Sequence, residues 1–223
     1  HNYKAGLDYA INKKNNVGLM VTGNYSDSKS VQTNRNEIRD FSTQVVDSIL
    51  KSDQSSKNLN NNINVNLNHQ YKDTLGHELN SDFDFGRYDS DRNSYIPNEY
   101  VTPDYQTPLS STYYRSITPT TINIFTFKSD YTQNLFKGKV GFGEKTSFVT
   151  TDNTFNFYNI EGNIETLDDS RSNQFEYTEN VNAVYLNYQH TIKKFDFQAG
   201  VRVENTRSEG DLKSATAVDD KNV

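Results

Sequence analysis

The chain contains no cysteine and no tryptophan, and it has only four prolines and one methionine among its 223 residues. Without cysteine there is no disulfide framework, no thiolate metal site and no cysteine nucleophile. Hydrophobic residues make up only 33% of the chain. No stretch approaches the roughly 18 consecutive apolar residues that a spanning helix needs. The formal net charge of -6 argues against nucleic-acid binding, because the neutralisation of phosphates needs a basic surface.

The aromatic residues that are present are all tyrosine or phenylalanine, 15 and 13 residues respectively. Abundant Tyr and Phe with a low apolar total is typical of β-barrel strands, and nearly as typical of an extracellular β-sandwich. The length suits one all-β domain. We therefore expect a single β unit over residues 1–223.

Stretches of about ten residues, in which apolar and polar residues alternate, are joined by connections that are alternately short and long. Short links are predicted at 12–16, 72–76, 132–138 and 191–194, and long polar loops at 27–57, 88–120 and 151–175. Short turns on one side and long loops on the other are the layout of a bacterial outer-membrane barrel. The sequence therefore predicts an all-β fold, an antiparallel up-and-down meander of about eight long strands in four hairpins, as part of a transmembrane β-barrel.

The third predicted strand shows the alternation most clearly. Its odd positions include Leu59, Ile63, Val65, Leu67 and Tyr71, and its even positions from 58 to 68 are all asparagine. Asparagine is a poor strand former in water-soluble sheets. A whole face of carboxamides suits a wet lumen, so we assign the odd face of this strand to lipid.

The sixth predicted strand departs from this rule at one position. Its apolar phase, formed by Val140, Phe142 and Phe148, also contains Glu144. A carboxylate in an apolar phase predicts either a β-bulge or a position that other protein covers.

Strand length and strand direction both favour a barrel segment. Ten residues tilted by about 45° cover roughly 23 Å of height, close to the ~25 Å apolar band of such barrels. Residues 206–223 begin another polar loop, which places both ends of the chain on the long-loop side. Natural barrels of this type usually begin and end on the other side, so we expect this chain to be part of a larger barrel.

The last predicted hairpin carries a family resemblance. Residues 177–188 and 195–206 resemble the outer-membrane β-barrel family related to TonB-dependent receptors. In that family a Glu and an Ala precede a Tyr-rich strand, and a Gly-x-Arg-x-Glu-x-Thr strand follows. The matching positions here are Glu179, Ala183, Gly200, Arg202, Glu204 and Thr206.

The resemblance implies nutrient uptake through a plugged barrel that an inner-membrane energiser drives. The implied partners are outer-membrane lipid of a Gram-negative bacterium and, only through a longer parent protein, a plug domain and a TonB-type energiser. Three of the matching residues, Glu179, Arg202 and Glu204, are predicted to face the lumen. We expect them to form a structural charge network rather than a transport path.

Five tyrosines in the predicted long loop are candidate ligand contacts: Tyr95, Tyr100, Tyr105, Tyr113 and Tyr114. Exposed tyrosine can stack on sugars or grip a protein at low entropic cost. The alternative is that these rings pack against neighbouring loops.

Other chemistry is weakly supported. Asp89, Asp91 and Asn93 begin like a calcium loop, but Tyr100 stands where the bidentate carboxylate would be. The four histidines are scattered, and no catalytic, metal or cofactor site is predicted, so we do not expect an enzyme. The alternative function is a soluble extracellular β-sheet module that binds glycan or protein through Tyr-rich loops, with Leu59, Ile63, Val65 and Leu67 in a dry core.

Overall fold

The computed structural model describes residues 1–214, which form nine β-strands and no helix. In this part of the chain, therefore, no helix has the length and apolarity to cross a membrane. The strands are β1 (Asn2–Asn12), β2 (Asn15–Arg39), β3 (Val46–Lys72), β4 (Glu78–Val101), β5 (Pro108–Leu135), β6 (Gly138–Glu161), β7 (Ile164–Leu167), β8 (Asn173–Ile192) and β9 (Phe195–Ser214).

All nine strands belong to one antiparallel sheet. Its order is β1-β2-β3-β4-β5-β6-β8-β9, and the short β7 pairs with β6 at the far end of that strand. This confirms the predicted up-and-down antiparallel meander. Within residues 1–214, β1 and β9 are the two edge strands and do not pair with each other.

The predicted long loops at 27–57, 88–120 and 151–175 are wrong. Strands run through most of these residues, and the actual turns are 40–45, 102–107 and, on either side of β7, 162–163 and 168–172. The β2–β3 register continues without a shift from Asn15↔Tyr71 to Ile38↔Ser48. Apolar residues in these segments are few and fall on both faces, as Val101 and Ile96 of β4 do, so the segments lack the apolar periodicity that the prediction used.

Two further boundaries change. The predicted polar loop 206–223 is strand as far as Ser214, and residues 215–223 lie outside the described part of the chain. Pro119, which we assigned to a loop, lies inside β5 and pairs with Asp91 of β4. Its pairing with β6 is interrupted at that point, as expected for a residue without an N–H.

The continuous register gives the sheet two chemically distinct faces. We name them the Leu67 face and the Asn66 face, after two neighbouring residues of β3 that point to opposite sides. From β1 to β5, one row across the Leu67 face consists of Leu7, Leu19, Leu67, Phe83 and Phe127, and over β6, β8 and β9 it continues with the polar residues Thr146, Asn182 and Asn205. The next row, on the Asn66 face, consists of Gly6, Met20, Asn66, Asp84 and Thr126.

The apolar side chains of the Leu67 face are not packed into a core. Leu67 and Phe142 are each 49% exposed, and Ile63 and Val65 are only half-buried. In residues 1–214 the buried hydrophobic side chains are those of Ile49, Val101 and Ala183. The dry core that a soluble module would need is therefore not formed by Leu59, Ile63, Val65 and Leu67.

The exposed apolar residues of the Leu67 face form a slanted strip, which we call the apolar band. On β1 the band reaches Tyr3, whereas on β9 it ends at Val203, which shares a row with Tyr9. This shift of about six residues over seven strand spacings corresponds to an inclination of roughly 30° between the strands and the normal of the band. Transmembrane β-barrels have strand tilts of about 35–45°.

Beyond the band, the strands continue towards the turns 40–45, 102–107 and 162–172. We call this part the extension. Its Leu67 face carries ion pairs between neighbouring strands, including Arg35 with Asp53 at 2.8 Å and Lys51 with Glu99 at 3.3 Å. Band and extension are thus two parts of the same strands with different surfaces.

Candidate functional site: the charge network of the Asn66 face

A network of polar side chains crosses four strands on the Asn66 face. Lys128 Nζ of β5 lies 2.6 Å from Oδ2 of Asp130. The hydroxyl of Tyr185, on β8, donates a hydrogen bond to the same carboxylate. On β9, Arg202 pairs with Glu204 at 2.6 Å, and its guanidinium carbon lies 5.7 Å from the centre of the Tyr185 ring.

A glycine makes the contact between β8 and β5 possible. Gly143 of β6 stands between Asp130 and Tyr185 in the same row. A Cβ at this position would overlap with the Tyr185 ring. Because Gly143 has no side chain, the tyrosine ring lies across β6 and its hydroxyl reaches the carboxylate two strands away.

Of the three predicted network residues, the structure brings two together. Arg202 and Glu204 form a pair, but Glu179 lies further along β8, opposite Ser208, where its carboxylate accepts a hydrogen bond from Tyr177 at 2.7 Å. Sequence reasoning missed Lys128, Asp130 and Tyr185 as members. Only the register across β5, β6 and β8 places them together, although Gly143 beside an aromatic row was a usable signal.

The asparagines of β3 extend this polar surface. Asn66 donates to Asp84 at 2.7 Å, and Asn68 donates to Asn66 at 3.0 Å. Tyr88 donates to Asn64 at 2.9 Å. Nearby, a polar cavity of about 620 Å³ is lined by residues that include Asp8, Asn68, Asn80 and Asp82. The arrangement presents carboxamide and carboxylate groups to water or to a polar solute.

The five candidate tyrosines are not gathered into one site. Tyr95 and Tyr113 stack on the Leu67 face of the extension, with ring centres 6.4 Å apart. Tyr100 and Tyr114 lie on the opposite face, and Tyr105 is in the turn 102–107. Four of the five are therefore strand residues rather than loop residues.

Tyr114 belongs to a separate cluster at the end of the Asn66 face. Its ring lies 5.2 Å from that of Phe157, and the guanidinium of Arg171 lies 4.2 Å from the Phe157 ring. The guanidinium of Arg171 forms an ion pair with Asp168, with 2.6 Å between Nη2 and Oδ2. Hydrogen bonds from Ser170 and then from Asn159 and Arg171 hold the pKa of Asp168 well below its usual value. The turn 168–172 is thereby fixed against this face.

The described part of the chain contains no candidate metal site. No group of three His, Cys, Asp or Glu side chains there is arranged to hold a metal ion.

The comparison with known families decides how these faces are interpreted. The model of the outer membrane protein β-barrel family matches residues 70–223. The chain belongs to this outer-membrane β-barrel family. No curated protein matches the chain significantly. Family membership indicates an outer-membrane location.

Proposed function

We propose that this chain forms part of the barrel of a TonB-dependent-receptor-like transporter for nutrient uptake in a Gram-negative bacterium. One observation carries the proposal: the six positions of the family resemblance share one face. Glu179 and Ala183 of β8, and Gly200, Arg202, Glu204 and Thr206 of β9, all lie on the Asn66 face. A motif directed to the interior of a barrel fits contact with a plug or a solute rather than contact with lipid.

The chemistry of the interior also supports transport of a polar solute. In the proposal, outer-membrane lipid is the partner of the apolar band, and the extension faces the outside of the cell. A plug domain and a TonB-type energiser act through a longer protein that contains this chain. The polar face supplies hydrogen-bonding groups along the wall, and neither catalysis nor nucleic-acid binding is part of the function.

Membrane insertion is tested by fractionation and gel mobility. We expect the protein in the outer-membrane fraction, soluble only with detergent. We also expect unheated and boiled samples to migrate differently on a gel, as folded barrels resist denaturation by detergent. Recovery as a monodisperse protein without detergent would contradict the proposal and favour the soluble module.

Energised transport is tested by comparing two deletion strains. If deletion of the gene abolishes the uptake of a nutrient, inactivation of the energiser should abolish the same uptake. The double deletion should show no further loss of uptake. Uptake that persists without the energiser would leave a passive barrel and would exclude the TonB-dependent mechanism.

A further inference from the structure

Glu144 occupies an unusual place in the apolar band. It lies on the Leu67 face of β6, between Phe142 and Phe148 of the same strand, and its side chain is exposed. The pairing of β6 with β5 and with β8 passes through Glu144 without a register shift. The bulge that we predicted as one explanation is therefore wrong, and a covered position is the explanation that remains.

The surface around Glu144 is a depression with polar and apolar parts. Its volume is about 440 Å³, and its lining includes Phe127, Val184 and Val203 together with Thr146, Asn182 and Asn205. Thr146 donates a hydrogen bond to Asn182 at 2.7 Å. Glu144 shares its row with other polar side chains, Ser129, Ser81 and His69, but it is the acidic one.

The carboxylate of Glu144 has no partner of its own. Among residues 1–214, no donor forms a hydrogen bond or an ion pair with it. An ionisable side chain that faces hydrocarbon is unfavourable and in membrane proteins usually has a partner.

We propose that a membrane-embedded segment of another protein packs into this depression and places a lysine or arginine side chain against Glu144. The choice of a cation follows from charge, since Glu144 is the charged residue of the lining that belongs to the Leu67 face, whereas Lys145, which also lines the depression, belongs to the Asn66 face. The choice of a long side chain follows from shape, because an aliphatic stem can lie along Phe127, Val184 and Val203 while its charged end reaches Glu144. This proposal uses the lipid contact of the apolar band and not the transport function.

The absence of cysteine allows a clean test by site-directed spin labelling. Leu186 lies on β8 beside the depression, and Leu67 lies on β3 away from it; both are 49% exposed in this chain. Single labels at Leu186→Cys and at the matched control Leu67→Cys are compared in native outer membranes by their collision rates with dissolved oxygen. We expect several-fold lower oxygen access at Leu186, because the partner covers it while lipid covers Leu67.

The charge dependence separates this partner from other occupants. Glu144→Lys should restore oxygen access at Leu186 to the level of Leu67. Glu144→Leu should do the same and also raise the resistance of the barrel to denaturant, because it removes an unpaired carboxylate from the lipid face. Unchanged shielding in Glu144→Lys would overturn the proposal.

Two other outcomes also decide against it. Equal oxygen access at the two labels in the unmodified background would show that lipid alone fills the depression. Magnetic coupling between Leu186 labels on neighbouring molecules would identify a second copy of this chain as the occupant. Shielding of Leu67 as well would overturn both this proposal and the lipid contact of the band, whereas loss of nutrient uptake with normal labelling would affect only the proposed function.

Discussion

The band and the extension are built from the same strands, yet their Leu67 faces differ in chemistry. On β4 this face changes from Phe83 and Phe85 to Arg87 and Asp89, which form an ion pair at 2.8 Å. The change takes place within two residues of one strand. The backbone pairing is the same on both sides of this border, so only the side chains differ. In the proposed orientation, lipid surrounds one side of the border and water the other.

The side chains of the Asn66 face also differ between the two regions. In the band it carries Asp82 and Asp84, whereas in the extension the hydroxyls of Ser56 and Ser94 bond at 2.8 Å and Ser94 is only 1% exposed. The Asn66 face of the extension thus contains buried hydroxyl groups, and Arg92 of the same face donates to Ser56 at 3.5 Å.

The largest effect is expected from placing a charge in the band. Leu67→Arg should lower the free energy of unfolding in lipid vesicles by about 2–4 kcal/mol, since an arginine near the middle of the lipid face loses its hydration. The control Ser55→Arg places the same side chain on the same face and strand of the extension, where Ser55 is exposed. Equal destabilisation by both substitutions would remove the distinction between the two regions.

A smaller effect is expected where a glycine lies beneath an aromatic ring. Gly143→Ala should cost about 1–3 kcal/mol of unfolding free energy, because the new methyl displaces Tyr185 from Asp130. Gly210→Ala, in the extension, should cost less, since its Cβ would lie 3.2 Å from the Phe175 ring.

A double-mutant cycle separates the clash of Gly143→Ala with the Tyr185 ring from any effect of this substitution on the backbone. In a Tyr185→Ala background, Gly143→Ala should become nearly neutral, because the ring that it displaces is gone. An undiminished cost in that background would mean that the backbone, and not the tyrosine, requires glycine at position 143.

A local effect of pH is expected in the turn 40–45 at the tip of the extension. Asp40 accepts hydrogen bonds from the backbone N–H of Thr43 at 2.8 Å and from the hydroxyl of Ser42 at 2.7 Å. These bonds, the Thr43 backbone bond foremost, lower the pKa of Asp40 from 3.8 to about 2. Because the pKa is depressed, the charged form stabilises the turn above pH 3.8, and this contribution disappears as the pH falls through about 2.

Hydrogen exchange measures this transition. The Thr43 amide should stay protected at pH 4 to 5 and lose protection towards pH 2, beyond the change in intrinsic exchange rate. Asp40→Asn should lack the transition, since an amide does not titrate. Asp73, at the opposite end of the sheet, also has a lowered pKa, chiefly through the backbone N–H of His77, so its turn should respond to acid in the same direction.

The smallest effect is expected from the surface ion pairs of the extension. Arg35 and Asp53 face each other through two contacts, at 2.8 and 3.1 Å, and both side chains are well exposed. Water and salt screen such a pair, so Arg35→Ala should leave the denaturation midpoint unchanged within error at physiological salt. A clear shift would indicate that the extension is shielded from water.

The alternation within the band was sufficient to predict its faces from the sequence. In β3, Leu59, Ile63, Val65, Leu67 and Tyr71 do lie on one face and the asparagines on the other, because a strand has a period of two residues wherever it is paired. The extension was missed for a physical reason. On the Leu67 face of the extension, residues such as Lys57 and Ser55 are polar and exposed, so the paired strands there show no apolar periodicity.

The charge network was only partly predictable. Arg202 and Glu204 are two residues apart on one strand, so their shared face follows from the sequence alone. The contact between Tyr185 and Asp130 joins positions 55 residues apart, and it depends on the registers of two strand pairs at once. Glu179 was grouped with Arg202 by shared face, but distance along the strand separates them.

The length of β5 sets how far the protein reaches from the membrane. This strand has 28 residues, and its part from Pro108 to Asn123 lies beyond the aromatic residues of the band. At ~3.3 Å per residue and a tilt of 30–40°, the tip of that hairpin would stand about 40 Å outside the hydrocarbon layer in the proposed orientation. In that orientation a large ligand would touch the tips of these hairpins without approaching the lipid, and a solute would enter the barrel at a level well above the bilayer.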